Sequence, residues 1–310
     1  MASSIRVGVV GVGYLGRFHA LIYSRLPDVE LVGVADTDLE RAQAVAEETG
    51  SAAMPVNALQ EQAEAVSIVV PTTAHLEVAR PFLQRGIHTL LEKPIATNVE
   101  DGRKIVAAAD ASGALLQIGH LERFNAGVMA LAERIEHPMF IEAQRMGGFK
   151  ARATDVDVIS DLMIHDIDIV LSLVKSELKQ ISASGTPVIT DHIDIANARL
   201  EFDNGAVANV TASRVSREDM RHIRVFEPNH YQSLDFINQR LDTARAEARP
   251  GSPWPEIVSE TLTIEPVKPL DAELASFIQC VREKRAPLVD GQVGLEALDV
   301  ALRIKQAIEK

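Results

Sequence analysis

Gly11-Val12-Gly13-Tyr14-Leu15-Gly16 stands where the apolar run Ile5–Val10 gives way to the amphipathic stretch Tyr14–Arg25, and no other feature restricts the chain as much. In a strand–turn–helix setting the first glycine permits a tight turn. The second lets a pyrophosphate approach the backbone, and the third lets helix and strand pack closely. The N-terminus of the following helix offers unpaired N–H donors and a partial positive charge to phosphates. Gly11, Gly13, Tyr14, Leu15 and Gly16 are therefore candidate dinucleotide contacts, against the alternative of a glycine-rich turn that binds nothing. Asp36 ends the next predicted strand, 20 residues after Gly16. A carboxylate there accepts hydrogen bonds from the adenosine ribose and repels a 2′-phosphate, which favours NAD over NADP. Arg41 lies near enough in sequence to keep NADP open, and Asp36 could instead cap the following helix.

The rhythm around this loop is that of parallel βαβ units. Strands are expected at Ile5–Val10, Glu30–Ala35, Ala65–Val70, Ile87–Leu91 and Leu115–Ile118, with helices at Tyr14–Arg25, Asp38–Thr49, Ala74–Gln84 and Asn98–Ser112. Beyond Gly119 the rhythm changes. A helix near Val158–Val174 precedes strand-like runs at Ile195–Phe202, Ala206–Ser213, His222–Phe226 and Thr261–Ile264, and helices at Leu270–Arg282 and Val293–Ile308 close the chain. Asp203-Asn204-Gly205 suits a hairpin turn. Glu227–Glu256 holds four prolines and no clear period, and reads as a loop. The expected fold is thus an α/β Rossmann doubly wound parallel sheet over 1–118. An α+β domain over 119–310 follows, with a large, mostly antiparallel open sheet and a C-terminal helix able to pack back on the first domain.

Composition removes whole classes of function. Of 310 residues 46% are hydrophobic and 24% charged, as in a globular protein with a large core. The net charge of −13 and the 13 aromatic residues argue against nucleic acid as a partner. No apolar run approaches the ~18 residues that cross a bilayer. The single cysteine, Cys280, fits a reducing compartment, and the expected location is cytoplasmic.

Two further groups carry chemistry. Glu92-Lys93-Pro94 follows a predicted strand, at the sheet edge where ligands of such folds bind. Lys93 there can stabilise charge on a reacting oxygen, or be a solvated loop lysine. At 100° per residue, Asp161, His165, Asp168 and Ser172 share a narrow sector of a helix that is apolar on nearly all its other sides. Such a stripe faces a cavity or a satisfied buried network. Asp161 one turn before His165 can orient an imidazole that takes a proton, and Asp168 is a second substrate or network contact. A core histidine satisfied by neighbouring carboxylates is the plain alternative. A metal site on Asp161, His165 and Asp168 lacks a completing cysteine or second histidine, so no metal is expected.

Taken together, Gly11–Gly16, Pro71-Thr72-Thr73-Ala74-His75, Glu92-Lys93-Pro94 and Asp161-xxx-His165-xx-Asp168 resemble the glucose–fructose oxidoreductase, inositol dehydrogenase and rhizopine-catabolism (Gfo/Idh/MocA) family of NAD(P)-dependent dehydrogenases. The resemblance covers nearly the whole chain. It implies that Lys93, Asp161 and His165 form the catalytic group and that Pro71, Thr72, His75, Glu92 and Lys93 border the cofactor. It also implies a cis peptide before Pro94, and a homodimer or homotetramer formed through the second-domain sheet. Gly119-His120-Leu121-Glu122-Arg123-Phe124-Asn125 and Asp161–Ile169 are similar to the branch that oxidises UDP-N-acetylglucosamine at C3. Arg123 joins Lys93, Asp161, His165 and Asp168 as a substrate contact by that resemblance. Arg214, Arg217, Arg221 and Arg224 could hold a diphosphate, or sit on solvated strand ends. The expected activity is NAD-dependent oxidation of a secondary hydroxyl of a sugar or sugar nucleotide. Inositol or free-sugar oxidation, reduction of a non-sugar substrate, and a non-catalytic NAD-responsive regulator stand as alternatives.

Overall fold

The computed structural model describes residues 4–150, 156–265 and 267–310, which divide into two units. The first comprises residues up to 121 together with 268–298, the second residues 122–267 and 299–310.

In the first unit β1 (Ile5–Val10), α1 (Tyr14–Tyr23), β2 (Val29–Ala35), α2 (Leu39–Thr49), β3 (Ala52–Ala53), α3 (Val56–Gln62), β4 (Ala65–Ile68), α4 (His75–Gln84), β5 (His88–Glu92), α5 (Val99–Ser112) and β6 (Leu116–Gly119) follow in order. The six strands form one parallel sheet in the order β3-β2-β1-β4-β5-β6, a doubly wound arrangement. Its central strands are apolar at successive positions because both faces are covered: Val7, Val9, Val34, Ala65 and Leu90 share a buried cluster with residues of the first two helices, and Val10, Val66, Ile68 and Leu91, of the other parity, are buried as well. Asn98 caps α5 by accepting the Asp101 N–H at 2.9 Å.

The second unit holds α6 (Ala126–Ala132), β7 (Phe140–Met146), α7 (Ile164–Val174), β8 (Leu178–Thr186), β9 (Ile195–Phe202), β10 (Val207–Ser213), β11 (Met220–Glu227), β12 (His230–Asp235), β13 (Arg240–Glu247) and β14 (Glu256–Thr263). These strands form an eight-stranded sheet ordered β14-β13-β12-β11-β7-β10-β9-β8. Every pairing is antiparallel except β7 with β10. Ala196, Ala198 and Leu200 of β9 are buried while Asn197 and Arg199 between them are exposed, so the sheet has one covered face. α7 lies against β7 and β10. The chain closes with α8 (Pro269–Glu283) and α9 (Gly291–Ile308). Leu274, Phe277 and Ile278 of α8 are part of the first unit's core.

The region 227–256 is not a loop. It contains all of β12 and β13, and its four prolines fall at Pro228, Pro250, Pro253 and Pro255, flanking the strands rather than interrupting their ladders.

Candidate functional site

The glycine turn is held as its sequence requires. Gly11 has φ +83°, in the left-handed region, and a Cβ on Gly16 would collide with the Gly11 carbonyl oxygen. A Cβ on Gly13 would meet nothing within 4 Å, so the backbone there is open to a ligand. Gly13 is the N-cap of α1 and no side chain caps that helix, which leaves its first-turn N–H groups for an anion. Tyr14 is 80% exposed on the first turn and Leu15 is half-buried beside it.

Asp36 braces this turn. Its Oδ2 accepts the Val12 N–H at 2.8 Å and its Oδ1 the Asp38 N–H at 2.9 Å. The helix cap is Asp38, which accepts the Arg41 N–H at 3.0 Å. The Arg41 guanidinium lies 3.5 Å from Asp36 and 3.0 Å from Asp38. A cleft of about 480 Å³ opens here, lined by Val12, Gly13, Tyr14, Arg17, Arg41 and Glu48 among others. An uncapped helix end, an open backbone at Gly13 and a carboxylate at the end of β2 fit an adenine dinucleotide.

On the neighbouring strand ends, Pro71 and Thr72 enter a single 3-10 turn, Thr72–Ala74, ahead of α4. His75 is buried, with Nε2 3.0 Å from the Val70 carbonyl and Nδ1 3.0 and 3.3 Å from those of Pro94 and Ile95. Burial lowers its pKa even though these carbonyls favour the protonated ring. All three of these His75 contacts are to the backbone, so the ring ties the turn after β4 to the turn after β5. The Lys93–Pro94 bond is cis. Lys93 is half-buried, and Glu92 accepts its backbone N–H at 3.3 Å.

In the second unit the helix that carries Asp161 and His165 is not regular. Ile159–Met163 form a π-turn that runs directly into α7. The irregularity shifts Asp161 off the 100° spacing that the sequence suggests, and such turns are frequent at functional sites. Asp161 and His165 are half-buried, whereas Ile164, Ile167, Ile169 and Val170 are fully buried. Asp161 lines a cleft of about 70 Å³ with Arg145, Lys150, Arg214, Asp219 and Arg221.

Asp168 and Arg123 meet each other: Nη1 lies 3.2 Å from Oδ1, with Asp168 only 1% exposed. Asp166, on the same helix, has no role in the sequence pattern. It receives a two-pronged contact from Arg145 at 3.0 and 2.8 Å, and Glu122 takes a third at 2.9 Å. Burial opposes the Arg145 charge, but the two carboxylates prevail and raise its pKa. Burial raises the Asp166 pKa against the pull of Arg145. The signal that could have found this network was the β-strand parity of β7, which puts Arg145 on the face of Ile141 and Ala143.

The four arginines do not act as one cluster. Arg214 is buried against Asp194 at 2.7 Å, and Arg224 pairs with Glu142 at 3.4 Å. Arg217 is exposed, and Arg221 lines the Asp161 cleft opposite Arg145 across the β7–β11 ladder. Arg224 has the other parity along β11, so it points to the opposite face. Among the described residues no group of three or more His, Cys, Asp or Glu is arranged to hold a metal ion, and no helix is long and apolar enough to cross a membrane.

Comparison with known proteins gives the family. Residues 5–120 match the oxidoreductase family with an NAD-binding Rossmann fold, and residues 134–227 match the Gfo/Idh/MocA C-terminal domain. The chain is 38% identical to a UDP-N-acetylglucosamine 3-dehydrogenase of Acidithiobacillus ferrooxidans over 98% of this chain and 97% of that one. A solved structure of that enzyme superposes with a TM-score of 0.93, covering 99% and 98% of the two chains. A scyllo-inositol 2-dehydrogenase (NAD(+)) of Bacillus subtilis is 27% identical over 96% of this chain and 92% of its own. The chain belongs to the Gfo/Idh/MocA family of NAD-binding oxidoreductases.

Proposed function

We propose that the protein is an NAD-dependent dehydrogenase that oxidises a secondary hydroxyl of a nucleotide sugar, UDP-N-acetylglucosamine at C3, to a ketone. The observation that carries this reading is the 38% identity to an enzyme of that name over 98% of the chain. When bound, NAD supplies the hydride acceptor. Gly11, Gly13, Gly16 and the first turn of α1 would hold its pyrophosphate, and Asp36 its adenosine ribose. His165 takes the hydroxyl proton, Asp161 orients the imidazole and stabilises its charged form, and the Lys93 ammonium stabilises the oxygen as it becomes negative. Arg221 and Lys150 line the Asp161 cleft, and we assign them to the diphosphate.

We also propose self-association through the open face of the large sheet, where the rings of Phe140, Phe226 and Tyr231 stand 5.8 and 5.0 Å apart in sequence. A cytoplasmic location suits the one buried thiol, Cys280.

The test is NADH formation at 340 nm with UDP-N-acetylglucosamine, other UDP-sugars, inositols and free sugars. Reduction of NAD by UDP-N-acetylglucosamine is expected. Reduction by an inositol alone would replace this reading with that of the inositol dehydrogenases, which the scyllo-inositol relative favours.

A further inference from the structure

α1 buries Gly16, His19, Ala20, Ile22 and Tyr23, and two of these five are polar. The Tyr23 hydroxyl meets the Ser67 hydroxyl of β4 at 2.8 Å. His19 is wholly buried, and its Nε2 lies 3.3 Å from Oε1 of Glu92 at the end of β5. A buried imidazole and carboxylate are costly, and an apolar pair of the same volume would serve stability as well or better. Their contact at the end of β5 sets them beside the turn that carries Lys93.

The β5–β6 register sets Glu92 opposite Gly119. A Cβ on Gly119 would stand 2.9 Å from the carboxylate carbon and from both its oxygens, so the carboxylate lies against bare backbone that only glycine leaves clear. From there Glu92 Oε2 accepts the Lys93 N–H at 3.3 Å, and on the far side His75 reaches the carbonyls of Pro94 and Ile95. His75 thus holds the turn that carries Lys93 through its backbone carbonyls, and His19 stands 3.3 Å from the carboxylate that accepts the Lys93 N–H.

We propose that His19 is a positioning residue for Lys93: it fixes the Glu92 carboxylate over Gly119, and that carboxylate sets the direction of the Lys93 peptide. The same helix opens at the glycine turn, so the element that takes the pyrophosphate is fastened to the strand end that carries the ammonium. The inference rests on the role given to Lys93 under the proposed function.

The experiment is a double-mutant cycle on kcat with NAD and UDP-N-acetylglucosamine, using His19→Leu, Lys93→Ala and their combination, with NAD affinity measured separately. His19→Leu should lower kcat about tenfold or more while NAD affinity stays within about threefold, and His19→Gln should restore most of the loss. The combined variant should be no slower than Lys93→Ala, because positioning an absent group has no value. Losses that multiply, or a His19→Leu kcat within about twofold of the parent beside an inactive Lys93→Ala, would overturn the proposal while leaving the role of Lys93 intact. An active Lys93→Ala would remove that role and this inference with it.

Hydrogen exchange gives a readout that needs no substrate. Amides of Lys93 and of residues 95–97 should exchange about fivefold faster or more in His19→Leu but not in Tyr23→Phe, which loses a contact of the same helix to a different strand. Equal effects in the two variants would reduce His19 to helix docking and overturn the proposal. Should His19→Leu fail to fold, Gly119→Ala displaces the same carboxylate and should lower kcat likewise; an unchanged kcat there would overturn the proposal too.

Discussion

At the scale of single residues, Asp36 and His75 show how one side chain does two things at once. Asp36 takes the N–H groups of Val12 and Asp38 and holds Arg41 beside it. Replacing it by serine removes the charge that repels a 2′-phosphate and releases Arg41 to meet one. Asp36→Ser should lower the KM for NADP by about tenfold or more and raise that for NAD, read from steady-state rates with both coenzymes. An unchanged coenzyme ratio would show that Asp36 only braces the turn.

For His75 the folded-state pKa lies below the ordinary value of about 6.5, so the unfolded chain binds the extra proton first as pH falls. The stability it supports is present above that pH and is lost as pH drops through the lowered folded value. His88, also lowered by burial, adds in the same direction. The melting temperature should therefore fall between pH 7.5 and 5.5, and it should fall less steeply in His75→Gln. The same steepness in both proteins would refute the assignment.

Elements were legible in the sequence to the degree that their own residues determine them. The parallel strands β1, β2, β4, β5 and β6 are apolar runs bounded by turn signals, and each appears within about two residues of its expected place. β3 is two residues long and α3 seven, too short to show a period. β8 is an exposed edge strand in which polar and small residues dominate, so neither β-propensity nor burial marks it. The candidate site divides the same way. Motif residues could be named, but the partners of Arg123, Asp166 and Arg214 come from segments 45, 21 and 20 residues away, and that pairing belongs to the tertiary fold.

The Arg145 clamp is where this matters energetically, because it joins β7 to α7. Arg145→Met would leave Glu122 and Asp166 buried without their cation. It should cost about 3 to 5 kcal/mol, measured by urea unfolding, far beyond a surface substitution. A loss below about 1 kcal/mol would mean that the two acids are neutral or reach water.

At the scale of the whole molecule, the open face of the eight-stranded sheet and the family's chemistry set the remaining expectations. Phe226→Glu places a charge between the rings of Phe140 and Tyr231 and should halve the mass seen by light scattering, or reduce it further, while the far-ultraviolet spectrum is kept. A parent protein that is already monomeric would rule out that face as an interface. The proposed reaction takes its hydride from C3 of the sugar. The most direct measurement uses UDP-N-acetylglucosamine carrying deuterium at C3, with mass spectrometry of the reduced coenzyme. Singly deuterated NADH and a ketone at C3 are expected, with turnover in His165→Ala and in Lys93→Ala lower by about 100-fold or more. Unlabelled NADH from that substrate, with deuterium kept on the sugar, would contradict it.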